Sequence, residues 1–322
     1  MVIYTPLTLK EVRPLLTNFP IGYPEKLTPL DGGTTNSNFR VTTPSGDYVL
    51  TLLEPAEEAA QIPWLKNYLS YLNKKGIPVP ALLETPEGNT VVSIKGKNAI
   101  IAPFFKGHEA SPDADTSFKA GALLANMNIL SQDYDHTSPP PWGLDGLKQK
   151  RQQVEERRLS REQSRALDVF DETYAELQAS LHNVPKGVVH SDLFPDNVLF
   201  SGGDISAVID FYKAGQDALA YDLAMGLAAW GFKENGEFNN TAFQGFYQGY
   251  TSQRPLNSAE HTALPQLLNR ACATIILMRI LRGQFLRSQD RAKNAITPRS
   301  PTDYLRRLEF LNRNNLQALL NG

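Results

Sequence analysis

The run His190-Ser-Asp-Leu-Phe-Pro-Asp-Asn197 places an acid at 192 and an amide at 197, and a second acid follows at 210 in Val208-Ile-Asp-Phe211. These are the oxygen groups needed to hold Mg²⁺ on a nucleotide and to take a proton from a hydroxyl. The spacing predicts phosphoryl transfer to an alcohol. That reaction needs the phosphate charge neutralised, the hydroxyl held in line with the transferred phosphorus, and a destination for the hydroxyl proton. Asp192 is the candidate general base. Asn197 and Asp210 are the candidate metal ligands, one neutral and one anionic. They stand thirteen positions apart, but Ser201-Gly-Gly-Asp204 is a tight turn between two short strands, and a hairpin there returns Asp210 to the start of Val198. His190, at a strand end, reads as a residue that holds the loop by hydrogen bonds. A lone Asp or Asn is usually a turn or cap residue; here Val188 and Val189 ahead of the loop, and an apolar strand ending in Asp-Phe after it, supply the context that the chemistry requires.

The elements that position this loop follow from periodicity. Short strands are predicted at 27–30, 39–42 and 48–53, and a hairpin at 90–94 and 98–102. A helix over 59–75 shows an apolar stripe of Ile62, Leu65, Leu69 and Leu72. Helices dominate beyond residue 103: 116–130, 160–181 with a capping box from Ser160 and Gln163, 218–230, 241–250, 259–286 and 301–319. Strands are expected at 187–189, 198–200 and 206–209. The change from β-rich to α-rich predicts an α+β architecture of two lobes, a small antiparallel sheet lobe over 1–103 and a helical lobe over 104–322, with the boundary at Pro103-Phe-Phe-Lys-Gly107. The polar turn Asp31-Gly-Gly-Thr-Thr-Asn-Ser-Asn38 is rich in small residues, whose backbone N–H groups approach phosphates closely. Gly-Gly turns usually only join strands; joined to the downstream motif, this one becomes a candidate phosphate cover.

Composition narrows the partners. The 322 residues carry 32 basic and 34 acidic side chains, a net charge of −2, and are 41% hydrophobic, enough for a full core. The densest basic stretch, Arg151–Arg165, is interleaved with Glu155, Glu156 and Glu162, as in a solvated helix face. Nucleic acid is thereby disfavoured as a partner. The most apolar window, Ala271–Leu281, is interrupted by Arg279 and is too short to span a bilayer, and the first residues show no signal-peptide pattern. A soluble, cytoplasmic protein with a small-molecule substrate is expected, its oligomeric state open. The single cysteine, Cys272, lies in an apolar helical stretch and reads as a buried inert thiol.

The loop with Ile209-Asp-Phe-Tyr212 resembles the kinase-like superfamily of aminoglycoside phosphotransferases and choline kinases. Asn36-Ser-Asn-Phe39, Tyr48-Val-Leu-Thr-Leu52, Asp217-Ala-Leu-Ala-Tyr-Asp-Leu-Ala224, Arg254-Pro-Leu256 and Tyr304-Leu-Arg-Arg-Leu308 narrow the resemblance to bacterial homoserine kinases, over nearly the whole chain. The resemblance implies a two-lobed protein-kinase-like fold with ATP between the lobes. It implies ATP- and Mg²⁺-dependent phosphorylation of the L-homoserine hydroxyl, a step toward threonine. It assigns Asp192 as base and Asn197 and Asp210 as metal ligands. It places the nucleotide on Gly32, Gly33, Thr34, Asn36, Asn38 and Thr51, with adenine against Pro103 and Phe104, and gives Asp222 a supporting role beneath the loop. Tyr212 and Arg279 are candidate substrate contacts.

Three positions depart from the wider pattern. Thr51 stands where most kinase-like folds carry a phosphate-binding lysine; homoserine kinases share the threonine, and Lys66, Lys95, Lys97 and Lys106 remain candidates for the cation. Thr274 stands where relatives tend to carry the first of two arginines, leaving Arg279, with Arg270 or Arg282 as other anchors for a carboxylate. Asn128 stands where a Leu-His pair is usual. Rival readings are a choline, aminoglycoside or amino-sugar kinase, with Tyr212, Tyr221, Trp230 and Phe232 open to misreading as a choline cage, or a nucleotide-binding pseudokinase module.

Overall fold

The computed structural model describes residues 3–30, 35–177, 183–233, 235–288 and 299–321. The chain divides into two compact units, Met1–His108 with Ser206–Tyr212, and Glu109–Ile205 with Lys213–Gly322.

The first unit contains helix α1 (Leu9–Leu16), strands β1 (Lys26–Pro29), β2 (Ser37–Thr43) and β3 (Gly46–Leu53), helix α2 (Ile62–Lys74), and strands β4 (Val92–Ile94) and β5 (Lys97–Pro103). The strands form one antiparallel sheet in the order β1-β2-β3-β5-β4. Alternation sets its faces. Ser37, Phe39, Val41 and Thr43 of β2 are buried while the residues between them are not. Phe39, Val41, Leu50, Leu52, Ile94, Ala99 and Ile101 meet Val12 and Leu16 of α1 in one apolar core. A capping box starts α1, with Thr8 and Glu11 each accepting from the other's backbone N–H. The expected stripe of α2 is buried: Ile62, Leu65, Leu69 and Leu72, joined by Tyr68.

Strand β6 (His108–Glu109) leads into helices α3 (Ala114–Ser131), α4 (Leu144–Gln152) and α5 (Arg161–Leu177). Strands β7 (Lys186–Val189), β8 (Val198–Ser201), β9 (Asp204–Val208) and β10 (Gly215–Ala218) follow, then helices α6 (Leu219–Trp230), α7 (Asn240–Gln253), α8 (Ser258–Ser288), α9 (Thr302–Arg313) and α10 (Leu316–Asn321). Every residue of α6 is buried, making it the axis of the second unit. Helices α3 and α7 approach closely because glycines line their contact. A Cβ on Gly121 would stand 2.1 Å from the Phe246 carbonyl oxygen, and one on Gly249 would stand 2.0 Å from that of Phe118. The 31-residue α8 is apolar and long enough to suit a membrane by composition alone, exceeding the expected apolar window. Its most apolar stretch is 67% buried, and it packs on α5, α6 and α9 as a core helix.

Four features differ from the sequence reading. The division falls at His108 rather than 103, and residues 206–212 join the first unit, where Val208 N–H bonds the Pro78 carbonyl at 2.8 Å. Helix α4 went unforeseen, because in Leu-Asp-Gly-Leu-Lys-Gln-Lys-Arg-Gln only Leu147 is buried. Strand β10 has no β-branched residue and exists through its pairing with β7. The expected helix over 301–319 is two helices, broken where Asn314 turns extended at φ −113° and ψ 149°. The predicted Ser160–Gln163 capping box is present, and residues 178–182 of the helix foreseen there lie outside the described residues.

Candidate active site

The loop over 190–197 leaves β7 directly. That strand pairs antiparallel with β10 in the register Gly215↔Val189 and Ala218↔Lys186, and α6 begins at the next residue, Leu219. One turn into α6, Asp222 faces back toward the loop. Its Oδ2 accepts from His190 N–H at 2.9 Å and from Asn128 Nδ2 at 2.9 Å, and its Oδ1 accepts from Ser191 N–H at 2.8 Å. This clamp holds Ser191 at φ +62°, a left-handed conformation that costs a non-glycine residue about 1–3 kcal/mol. Burial pushes the Asp222 carboxyl up to about 6, against the pull of those three donors. The clamp extends outward. Tyr250 O–H donates to Asn128 Oδ1 at 2.8 Å, Arg254 Nη1 donates to the Tyr250 oxygen at 3.1 Å, and Arg254 pairs with Glu260 at 2.8 Å. The close approach of α3 and α7 is what brings Asn128 and Tyr250 together.

The rest of the loop is fixed as firmly. Asp192 N–H donates to His190 Nδ1 at 3.2 Å, which places the proton of a neutral ring on Nε2. His190 therefore holds the loop, as its position suggested. Trp230 Nε1 donates to the Leu193 carbonyl at 2.9 Å, and Phe194 stacks on Tyr304 at 6.5 Å between ring centres. Asn197 Nδ2 donates to the Asp192 carbonyl at 2.8 Å, which leaves Oδ1 as the atom of this amide able to meet a cation. Asp192 is 4% exposed, and its carboxylate contacts the Lys213 ammonium.

In the first unit, Asn38 and Thr51 are direct partners across β2 and β3, and Thr51 O–H donates to Asn38 Oδ1 at 2.7 Å. Asn36 Nδ2 donates to Glu58 at 2.9 Å, and its Oδ1 accepts from Glu54 N–H at 3.0 Å. Tyr212 bonds Thr51; burial, then the nearby carboxylates of Asp210 and Glu58, raise its phenol above the ordinary range. Asp210 is exposed and adopts φ +66°. Asn36, Asn38, Thr51, Asp210 and Tyr212 thus share one neighbourhood. Pro103 lies three residues along β5 from Ile100, the partner of Thr51, or about 10 Å away. Phe104 N–H bonds the Asp47 carbonyl at 3.0 Å, with Arg40 over its ring. Gly32, Gly33 and Thr34 lie outside the described residues.

Two of the arginines read as acceptor anchors, Arg279 and Arg270, are bonded to protein groups. Arg279 Nη1 donates to Asp303 at 3.1 Å and to the Ser300 carbonyl, and its guanidinium lies over Tyr304. It ties α8 to the start of α9. Arg270 is wholly buried, forks onto both oxygens of Asp217, and lies 3.8 Å over Tyr221, whose hydroxyl donates to Thr274 at 3.2 Å. Arg282 is pushed down to about 10 by burial. Of the candidate cations, Lys66, Lys95 and Lys97 pair with Glu84, Glu11 and Glu54. Cys272 is buried, its thiol pushed up to about 12, as expected of an inert residue. Sequence reasoning missed Lys213, Tyr250 and Glu58; of the buried network it singled out Asn128, Asp222 and Arg254.

A family model described as "Phosphotransferase enzyme family" matches residues 26–256. The chain is 33% identical to a homoserine kinase of Mesorhizobium japonicum over 312 residues, covering 96% of each chain. It is 33% identical to a homoserine kinase of Gluconobacter oxydans over 316 residues, covering 96% of this chain and 97% of that one. Among solved structures, an amicoumacin kinase superposes with a TM-score of 0.67 at 18% identity, over 94% of this chain and 92% of that one. A choline/ethanolamine kinase family protein from Mesorhizobium loti gives a TM-score of 0.63 at 17% identity, over 98% and 96%. These likenesses show a shared protein-kinase-like fold, and together with the family match they establish that the chain belongs to the phosphotransferase enzyme family.

Proposed function

We propose that this protein transfers the γ-phosphoryl group of ATP to the side-chain hydroxyl of L-homoserine, forming O-phospho-L-homoserine in the cytoplasm as a step toward threonine. The observation that carries the reaction class is the clamped loop, which presents the buried Asp192 carboxylate from a rigid support. The acceptor rests on similarity to homoserine kinases along nearly the full chain.

In this reading Asp192 orients the acceptor hydroxyl and receives its proton as the oxygen attacks the γ-phosphorus. Asn197 Oδ1 and the Asp210 carboxylate would hold Mg²⁺. A pair of hard oxygen donors, one neutral and one anionic, suits an ion that keeps several waters and binds phosphates directly, and among the described residues no cluster of three acidic, His or Cys side chains offers a rival cage. Bound there, the ion would neutralise phosphate charge. Asn36, Asn38 and Thr51, with Gly32, Gly33 and Thr34, would face the phosphates, and Pro103 and Phe104 the adenine. Loop support from His190 and Asp222 keeps the base in place, so that no reorganisation is needed at the moment of transfer.

A coupled assay of ADP release tests the reading, run with Mg²⁺–ATP and L-homoserine beside choline, ethanolamine and kanamycin. The expected result is turnover with L-homoserine alone and a phosphomonoester product by phosphorus NMR. Turnover with another alcohol and none with L-homoserine would overturn the acceptor; ATP binding with transfer to no acceptor would overturn the reaction.

A further inference from the structure

We propose that Lys213 is the cation that meets the transferred phosphoryl group, reaching it from its resting place on Asp192; this rests on the phosphoryl-transfer reading above. The placement is set by backbone register. Strand β10 starts at Gly215, opposite Val189, the last residue of β7. Lys213 lies two residues before the start of β10 and Asp192 three residues after the end of β7, so both leave the same end of the paired strands. The Lys213 side chain is 21% exposed and that of Asp192 5%, and the ammonium meets Asp192 Oδ2. The pair is therefore partly sheltered from water, where a charge acts more strongly than on an open surface.

Among the described residues, the lysines of the first unit considered as phosphate cations are engaged elsewhere or exposed. Thr51, in the central strand β3, carries no charge, and its hydroxyl donates to Asn38. Lys66, Lys95 and Lys97 are each matched to a carboxylate of the first unit. Lys106 is exposed and lies near Asp47. Lys213 is the lysine held against the general base itself.

Geometry connects that contact to the phosphorus. A hydroxyl donating to Asp192 lies about 2.8 Å from the carboxylate, and its oxygen stands about 3–3.5 Å from the γ-phosphorus before attack. An ammonium on the same carboxylate can then reach an equatorial phosphoryl oxygen by a single hydrogen bond, which is the contact proposed here. With three N–H donors it can keep Asp192 and add the phosphoryl oxygen. In the step, the acceptor oxygen forms a bond to the γ-phosphorus and the bond from that phosphorus to the β–γ bridging oxygen breaks. The electron pair leaves on ADP, and the hydroxyl proton passes to Asp192. Lys213 stays protonated throughout and balances the charge spread over the phosphoryl oxygens.

The test compares full-length wild type with Lys213→Met and Lys213→Arg. Affinities for Mg²⁺–ATP and Mg²⁺–ADP are measured by calorimetry without acceptor, and turnover separately. A charge-assisted hydrogen bond to the γ-phosphate predicts that Lys213→Met weakens ATP about tenfold or more relative to ADP, and lowers kcat about 10–100-fold. Lys213→Arg should recover most of both. An unchanged ATP-to-ADP affinity ratio in a folded Lys213→Met variant would overturn the proposal and leave the pair a positioning contact for Asp192. The ratio needs no acceptor, so it stands even if L-homoserine proves to be the wrong alcohol.

Discussion

Replacing Tyr250 with Phe tests whether the catalytic loop is held through the buried chain from Arg254 to Asp222. The change removes one oxygen and two hydrogen bonds, the 2.8 Å bond donated to Asn128 Oδ1 and the 3.1 Å bond accepted from Arg254. Asn128 is 0% exposed, so its carbonyl oxygen would be left without a donor where water does not reach. An orphaned buried acceptor costs about 1–3 kcal/mol. Arg254 keeps Glu260 at 2.8 Å, so its loss is smaller, about 1 kcal/mol. The sum, about 2–4 kcal/mol, should appear in urea unfolding as a lower midpoint at unchanged slope. Asn128→Leu, close in size, strands the Tyr250 hydroxyl instead and takes one donor from Asp222. If the chain is a single device, the double variant is less damaged than the sum of the two, with a coupling of about 0.5–3 kcal/mol. Strictly additive losses would refute the argument that Tyr250 acts through Asn128.

Other expectations follow from the same contacts. Asp192→Asn should lower turnover about 10²–10⁴-fold with nucleotide affinity nearly kept, whereas Asp210→Ala should weaken Mg²⁺–ATP binding itself; calorimetry beside steady-state rates separates the two, and equal mild effects would contradict the assigned roles. Arg270→Met leaves Asp217 without its buried partner and should cost about 3–5 kcal/mol, much of it regained in Arg270→Met with Asp217→Leu, read by thermal unfolding. Because burial raises Asp222 from 3.8 to about 6, the folded state binds that proton more tightly than the unfolded chain. Its contribution is then full below the unfolded value and is lost as pH rises through about 6. The stability gap between wild type and Asp222→Asn should accordingly narrow by up to about 3 kcal/mol between roughly pH 4 and 7, and a gap independent of pH would contradict the shift.

The regular elements were legible where periodicity was strong. The stripe at 62, 65, 69 and 72 and the alternation in β2 encode burial directly, so α2 and the sheet strands fall within a few residues of their expected bounds. Helix α4 has too few apolar residues to show a stripe, and β10 is a strand only because β7 pairs with it, a fact no local window contains. The loop over 190–197 was readable because its acid and amide sit on one short segment. Lys213 was not, since its nearness to Asp192 depends on the antiparallel register of two strands separated by the whole motif. Arg279 shows the converse limit. Its charge in an apolar stretch was visible, but its contact with Asp303, twenty-four residues away, was not.

The assignment of residues 206–212 to the first unit makes the polypeptide interleaved rather than serial. No single cut can dissect it. A fragment ending at residue 108 would lack the segment that bonds Pro78 and carries Asp210 and Tyr212, while the complementary piece would keep that segment without Pro78. Attempts to express either half alone should therefore yield poorly folded material, whereas excising 206–212 from one and grafting it onto the other through a short linker gives a fragment with its native complement of sequence.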